Sequence, residues 1–397
     1  MKSFISLEEA LEIIDNNINH LQIEEVDLLN AINKVLAEDI YSLINNPPFA
    51  KSAMDGYAIK HDGESRLKVI DEIYAGQCSC KEVEDNTAIR IMTGAPIPKG
   101  ADAVIKQEDV ECNENMIVLN KQLKINENIC PEGEDIKIGT LLAVKGKKLN
   151  YADIGIIASS GINTVKVYKT PGIALITTGD EVVEINEGLA PGKIYNSNKY
   201  SLLARINELG FNAGYVNHIN DEYTVIGDEI KKISEKVDLI ITTGGASVGK
   251  KDLVKEAIDY IGGEKLFWKI KIKPGSSVLA AKYNNTLILC LSGNPTAALT
   301  TFELLGRTSL IKLSGGSTVE IVREKAVLLN SFNKKSPQRR FLRGKVQNEG
   351  EIQKVSITQV KSGNGILSST LESNCLIELA AGNLGVNEGE LVNIIKF

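Results

Sequence analysis

Three short stretches carry residues whose types and order could do chemistry on an anion. "ITTGDE" at 176–181 ends an apolar run in a glycine turn followed by Asp180 and Glu181. "TTGGASVGKKD" at 242–252 repeats the design with Gly244, Gly245, Ser247 and Gly249, and delivers Asp252. "FWKIKIKPGSS" at 267–277 sets Lys269, Lys271 and Lys273 at every second position. Carboxylates at such turns suit a hard, oxygen-ligated cation, with Mg²⁺ the first choice. Glycine-rich turns with free amides, and lysines, suit phosphate or another oxyanion.

Each stretch also has a plain structural reading. From Gly244 to Lys250 the frame is G-x-x-x-x-G-K, but a nucleotide-binding P-loop continues with Ser or Thr to hold Mg²⁺, and here Lys251 follows. ATP or GTP hydrolysis therefore has weak support, and Asp252 becomes the residue of interest. Acidic residues after a strand often cap a helix, as does a lone Asp221 before the next helical pattern. Alternate lysines share one face of a strand, with Ile270 and Ile272 on the other. Either they protect a solvated edge strand or they face an oxyanion. Arg339, Arg340 and Arg343 in "SPQRRFLRGK" form a basic turn that is ordinary on a surface.

The elements that must position these residues follow from periodicity. "GIALITTGDE", "DLIITTGGAS" and "LILCLSGNP" are three buried-strand runs, each ending in a glycine-bearing polar loop. Helical patterns lie between them: Leu202, Leu203, Ile206 and Leu209; Ile226, Ile230, Ile233 and Val237; Val254, Ile258 and Ile261. Alternation of this kind predicts an open, mostly parallel α/β sheet, whose ligands sit at the carboxyl ends of the strands.

Around that segment, residues 1–45 and 140–170 read as one discontinuous helical and linker region. Ser6 caps a helix through Leu7, Leu11, Ile14 and Ile18, and "VDLLNAINKVLAEDI" has a second helical pattern. Residues 46–139 read as a β-rich insertion, 171–318 as the α/β domain and 319–397 as a C-terminal β-barrel or sandwich.

Composition excludes several classes. Apolar content of 43% and charged content of 24% are those of a globular protein. A net charge of −6 gives no general attraction to nucleic acid or anionic membrane, so an anion must be caught locally. No apolar run is long enough to span a bilayer, and Glu8, Glu9 and Glu12 interrupt any secretion signal. Six cysteines without a C-x-x-C pair and three scattered histidines argue for a cytoplasmic setting and against zinc or iron.

Taken in order, "PPFAKSAMDGYAI", "IMTGAPIPKGADAVIKQED", "GEDI", "TTGDEVVE", "GKIYNSN", "TTGGASVGKKD", "FWKIKIKPG", "SGNPTAA" and "NCLIEL" resemble the MoeA family of molybdopterin molybdenumtransferases, similar also to the gephyrin E domain. The resemblance covers essentially the whole chain. It implies an elongated multidomain α/β plus β fold with a MogA-like open α/β domain, assembled as a homodimer. It also implies insertion of molybdenum from molybdate into adenylylated molybdopterin, with Mg²⁺-dependent cleavage that releases AMP. A molybdopterin adenylyltransferase and molybdoenzyme acceptors or chaperones would be its partners.

By motif position the resemblance carries over Asp55, Thr93, Asp135, Glu181, Asp221, Asp252, Lys269 and Lys273 as functional residues, with Mg²⁺ near Glu181, Asp221 and Asp252. It adds Pro274, Gly293, Asn294 and Pro295 to the glycine loop as substrate contacts, and Arg339, Arg340, Ser362 and Ser368 in the C-terminal region. The chain departs from the family at Ala50-Lys51, Ser276 and Ala297, where Asp-Asn, a lysine and a serine are common. The competing readings are a gephyrin-like scaffold, although that architecture carries an added trimerising domain and linker, and a paralogue that prefers tungstate to molybdate.

Overall fold

The structure, a computed structural model, describes every residue except 62, 246–252, 317–319, 351 and 359–365. The chain divides into two compact units: residues 1–24, 33–35 and 168–397 form one, and residues 25–32 and 36–167 the other.

The first unit is built on a seven-stranded sheet. Its elements in chain order are β1 (Lys2–Ile5), α1 (Leu7–Asn17), β2 (Ile173–Thr178), α2 (Ser197–Glu208), β3 (Ala213–Ile219), α3 (Tyr223–Ile233), β4 (Leu239–Thr243), α4 (Leu253–Tyr260), β5 (Glu264–Ile270), β6 (Ile272–Lys273), β7 (Leu279–Tyr283) and β8 (Thr286–Leu291). The sheet order is β1-β5-β7-β8-β4-β2-β3, with β6 outside it. Strands β8, β4, β2 and β3 are mutually parallel, and only β7 runs against its neighbours.

The three apolar runs form β2, β4 and β8, buried along their whole length. Alternate side chains feed two separate cores, as the two-residue period requires. Ile173, Leu175, Leu239, Ile241, Leu287 and Leu289 pack with α1 and α2. Ala174, Ile176, Ile240, Ile288 and Cys290 pack with α3 and α4 on the other face.

The first helix forms as expected, with Ser6 Oγ accepting the Glu9 N–H at 3.1 Å. Residues 1–24 nevertheless belong with the α/β unit: Lys2, Ser3 and Ile5 pair in parallel with Phe267, Trp268 and Ile270. The second expected helix is a correction. Only a 3₁₀ turn, Leu28–Ala31, forms there, because Asn33 adopts φ 64° and ends helical geometry.

Five further strands of this unit, β9 (Glu324–Leu328), β10 (Arg339–Glu349), β11 (Ile352–Ile357), β12 (Cys375–Leu379) and β13 (Leu391–Lys396), run in the order β10-β11-β9-β13-β12, and β12 returns to β10. The result is a closed five-stranded barrel, which leaves no edge among the five. The short β6 adds to it by pairing in parallel with β10.

The second unit holds a six-stranded sheet of Ala103–Lys106, Gly56–Ile59, Thr87–Ile91, Arg66–Ile73, Met116–Leu119 and Val110–Asn113, in that spatial order. Its one α-helix among the described residues, Tyr151–Ser159, begins in a capping box between Asn150 and Asp153.

Candidate active site

The loops after β2, β4 and β8 meet because glycine lets their backbones touch. Gly244 has φ +96°, and a Cβ there would lie 2.5 Å from the Thr178 carbonyl oxygen. A Cβ on Gly293 would sit 3.5 Å from Gly244 Cα. One glycine thus joins three strand ends, as the α/β pattern predicts. Ser247, Gly249 and Asp252 lie outside the described residues.

At the ends of β2 and β3 the carboxylates gather. The Asp221 N–H donates to Asp180 Oδ1 at 3.1 Å. Burial pushes the Asp221 carboxyl above its ordinary pKa, and the negative Asp180 and Glu181 add to the shift. Asp221 Oδ1 and Thr178 Oγ1 are both buried and, apart from a loose contact between the two side chains, have no hydrogen-bond partner among the described residues. Among the described residues the side chains of Asp180, Glu181 and Asp221 form no ion pair; the one ammonium held beside them, Lys193 Nζ, donates to the Asp180 backbone carbonyl at 2.5 Å and leaves the carboxylates themselves unpaired. Its donors are hard oxygens and fit a cation such as Mg²⁺. Among the described residues no three such side chains already converge on one point. Asp180, a candidate carboxylate by its place beside Glu181 in "TGDE", is absent from the set that the family resemblance carries over.

The lysines are arranged differently from the sequence expectation. Lys269, Lys271 and Lys273 do not share one face of one strand. Lys269 takes φ 63°, the chain leaves the sheet after Ile270, and Ile272–Lys273 joins the barrel instead. Lys269 Nζ lies 3.9 Å from the centre of the Trp268 ring, and Lys271 Nζ lies 5.7 Å from that of Phe4. Lys271 and Lys273 are both exposed, and Lys273 is followed by a cis bond to Pro274.

Pairing of β6 with β10 puts Lys273 in register with Arg340, and Ile272 with Arg339. The two arginines then differ. Arg339 is taken by Glu8 of α1 and by Glu378 at 3.4 Å. Arg340 has no carboxylate partner among the described residues, its buried Nε is unpaired among them, and its guanidinium lies 5.2 Å from the centre of the Phe332 ring. Burial lowers the pKa of Arg340.

Beside Lys273 a cavity of about 300 Å³ is lined by Pro274, Ser276, Ser292, Asn294, Ala297 and Gln338, among others. Asn294 caps the helix that starts at Pro295, its Oδ1 accepting the Ala297 N–H at 3.2 Å. Gln338 belongs to no motif, and nothing in the sequence marks it beyond its place before Arg339. Ser368 sits in an exposed 3₁₀ turn and does not line the cavity, and Ser362 lies outside the described residues.

In the second unit, Asp55 and Thr93 come together. Asp55 Oδ1 accepts the Thr93 N–H at 2.7 Å and its hydroxyl at 2.8 Å. These two bonds hold the Asp55 carboxyl below its ordinary pKa. Asp135 has other partners, donating its N–H to the Asn46 carbonyl at 3.1 Å and accepting from Asn46 Nδ2 at 3.4 Å.

An open α/β sheet with carboxylates gathered at its strand ends, joined through β6 to a closed barrel, defines a multidomain α/β protein. The chain belongs to the MoeA family. Residues 5–161 match the MoeA N-terminal region (domains I and II), 174–312 a probable molybdopterin binding domain, and 325–397 the MoeA C-terminal region (domain IV). Its relatives include the molybdopterin molybdenumtransferase of Staphylococcus aureus strain COL, 36% identical over 402 residues, covering 98% of this chain and 95% of that protein. The Staphylococcus epidermidis enzyme of the same name is 36% identical over 404 residues, with the same coverage. A solved molybdopterin biosynthesis MoeA protein from Pyrococcus horikoshii superimposes with TM-score 0.83 at 31% identity, covering 99% of both chains.

Proposed function

We propose that this protein is a molybdopterin molybdenumtransferase that inserts molybdenum from molybdate into adenylylated molybdopterin with Mg²⁺-dependent release of AMP. The observation that carries the reading is the separation of charge along one sheet edge. The side chains of Asp180, Glu181 and Asp221 form no ion pair at the ends of β2 and β3, although Lys193 reaches the Asp180 carbonyl, while Lys269 at the end of β5 and Lys273 on the adjoining β6 have no carboxylate partner among the described residues.

Such a cleft accepts a pyrophosphate ester and its counter-ion together. Glu181 and Asp221, with Asp252 beyond the described loop, would hold Mg²⁺. That ion supplies neutralisation of the phosphate charge during cleavage. Lys273, with Arg340 in register beside it, receives the tetrahedral oxyanion in the neighbouring cavity, helped by the neutral donors Ser292, Asn294 and Gln338. The dithiolene sulfurs come from the pterin, so the protein needs no thiolate ligands for the metal. Gly244 and Gly245 let a phosphate approach the backbone of their loop. Asp55 and Thr93 are assigned to the same reaction by motif position. We also propose that the protein works as a homodimer in the cytoplasm, receives adenylylated molybdopterin from an adenylyltransferase, and hands the cofactor to molybdoenzymes or their chaperones.

The experiment combines purified protein with adenylylated molybdopterin, molybdate and Mg²⁺ and measures AMP. Release that requires both molybdate and Mg²⁺ is expected. Absence of AMP from correctly made substrate would sink the proposal.

A further inference from the structure

Strand β5 and helix α4 supply three lysines, and the structure treats them unequally. Lys265, near the start of β5, is neutralised by Asp259 of α4. Lys255, in the first turn of α4, and Lys269, near the end of β5, have no carboxylate partner among the described residues. Both rest instead on Trp268: Lys255 Nζ is 4.6 Å from the ring centre and Lys269 Nζ 3.9 Å. Trp268 and Val254 belong to the same apolar cluster, which fixes the ring against the root of α4.

Direction decides where this trio lies. Strand β7 is antiparallel to both β5 and β8, so β5 runs the same way as β8, β4 and β2. The end of β5 therefore falls on the ligand edge of the sheet. Helix α4 begins where the loop after β4 ends, on that same edge. Two ammonium groups at one ring gain from its negative face but repel each other, an arrangement that a dianion between or beside them relieves.

We infer that Lys255 is a further substrate-binding residue, which together with Lys269 forms a phosphate subsite resting on Trp268. The ligand class is a phosphate ester or pyrophosphate, and the inference rests on the proposed reading only in taking the substrate to carry such a group. Trp268 acts as a positioning residue. It parks both lysines while the site is empty, and they turn toward the phosphate when it arrives.

Trp268 is the only tryptophan of the chain, so its emission reports this site alone. Inorganic pyrophosphate is titrated into the full-length protein, followed by tryptophan fluorescence and, to catch an optically silent event, by calorimetry. Wild type should bind with a saturable change in emission. Lys255→Gln should bind about tenfold more weakly, a loss of one charge-assisted contact, and Lys255→Arg should stay within about threefold of wild type. Lys282→Gln, on β7 and away from Trp268, should bind as wild type does. With adenylylated molybdopterin, Lys255→Gln should raise KM and leave kcat in place.

Equal pyrophosphate affinity in wild type and Lys255→Gln, or no binding by calorimetry in wild type, overturns the inference. The two proposals fail separately. Pyrophosphate binding through Lys255 without AMP release would remove the proposed reaction and keep the subsite. AMP release with an unchanged KM in Lys255→Gln would do the reverse.

Discussion

Asp55 and Asp221 enter the same acidic set by motif position, yet the protein holds them in opposite ways. Asp55 is exposed and satisfied, with Thr93 donating twice to one oxygen and stabilising the charged form. Asp221 is partly buried among like charges, with an unpaired oxygen and a charged form that is disfavoured. A carboxylate already provided with donors stays charged and is suited to orient a partner at a fixed place. One left in deficit is suited to a cation from outside. The contrast separates two roles that a shared motif list does not.

The largest expected effect breaks the contrast at Asp221. Asp221→Asn should lower AMP release by about 100-fold, the scale of losing a metal-site carboxylate. It should leave the fold as stable as before or more so, since a neutral amide relieves the repulsion by Asp180 and Glu181. Mg²⁺ should raise the melting temperature of wild type and not of this variant, because only a ligand that binds the folded state stabilises it. A variant with normal activity and a normal Mg²⁺ response would end the assignment.

Next, Gly244→Ala attacks the same corner without touching an acid. A methyl group would collide with the Thr178 carbonyl in a backbone conformation that alanine avoids. Unfolding in urea should show a loss of about 1–3 kcal/mol. Asp55→Asn should cost less: AMP release falls by about tenfold, with no change in the Mg²⁺ response.

The smallest effect sharpens the comparison through pH. The lowered pKa of Asp55 adds stability above the ordinary aspartate range, and that stability is lost as pH falls through its folded value. Thr93→Val should raise the Asp55 pKa toward the ordinary value, as read by carboxyl NMR titration, and narrow that window. Asp221 behaves with the opposite sign. Its raised pKa means that its share of stability falls as pH rises from the ordinary aspartate range through the folded value.

Much of this was legible where local chemistry and period agree. The strands of "GIALITT", "DLIITT" and "LILCL", their glycine turns, and the Ser6 cap all follow from neighbours within a few residues. Information failed where a distant partner decides. Nothing in "QRRF" says that Glu8 and Glu378 take Arg339 and leave Arg340 free. The alternation of Lys269, Lys271 and Lys273 predicted a single charged face, but the barrel strand β10 captures Lys273 and the chain turns at Lys269 to reach it. In "VDLLNAINKVL" the helical spacing of apolar residues was outweighed by Asn33, which accepts a left-handed backbone conformation.

The parallel ladder of Lys2, Ser3 and Ile5 with Phe267, Trp268 and Ile270 has a consequence for the newborn chain. Strand β1 leaves the ribosome some 260 residues ahead of its partner and must wait while the second unit emerges. During that interval β1 and the apolar face of α1 are without their final cover. The α/β unit thus closes late, by recruiting a strand made long before the rest of it, and a variant without that strand would leave the edge of β5, which carries Trp268 and Lys269, unpaired.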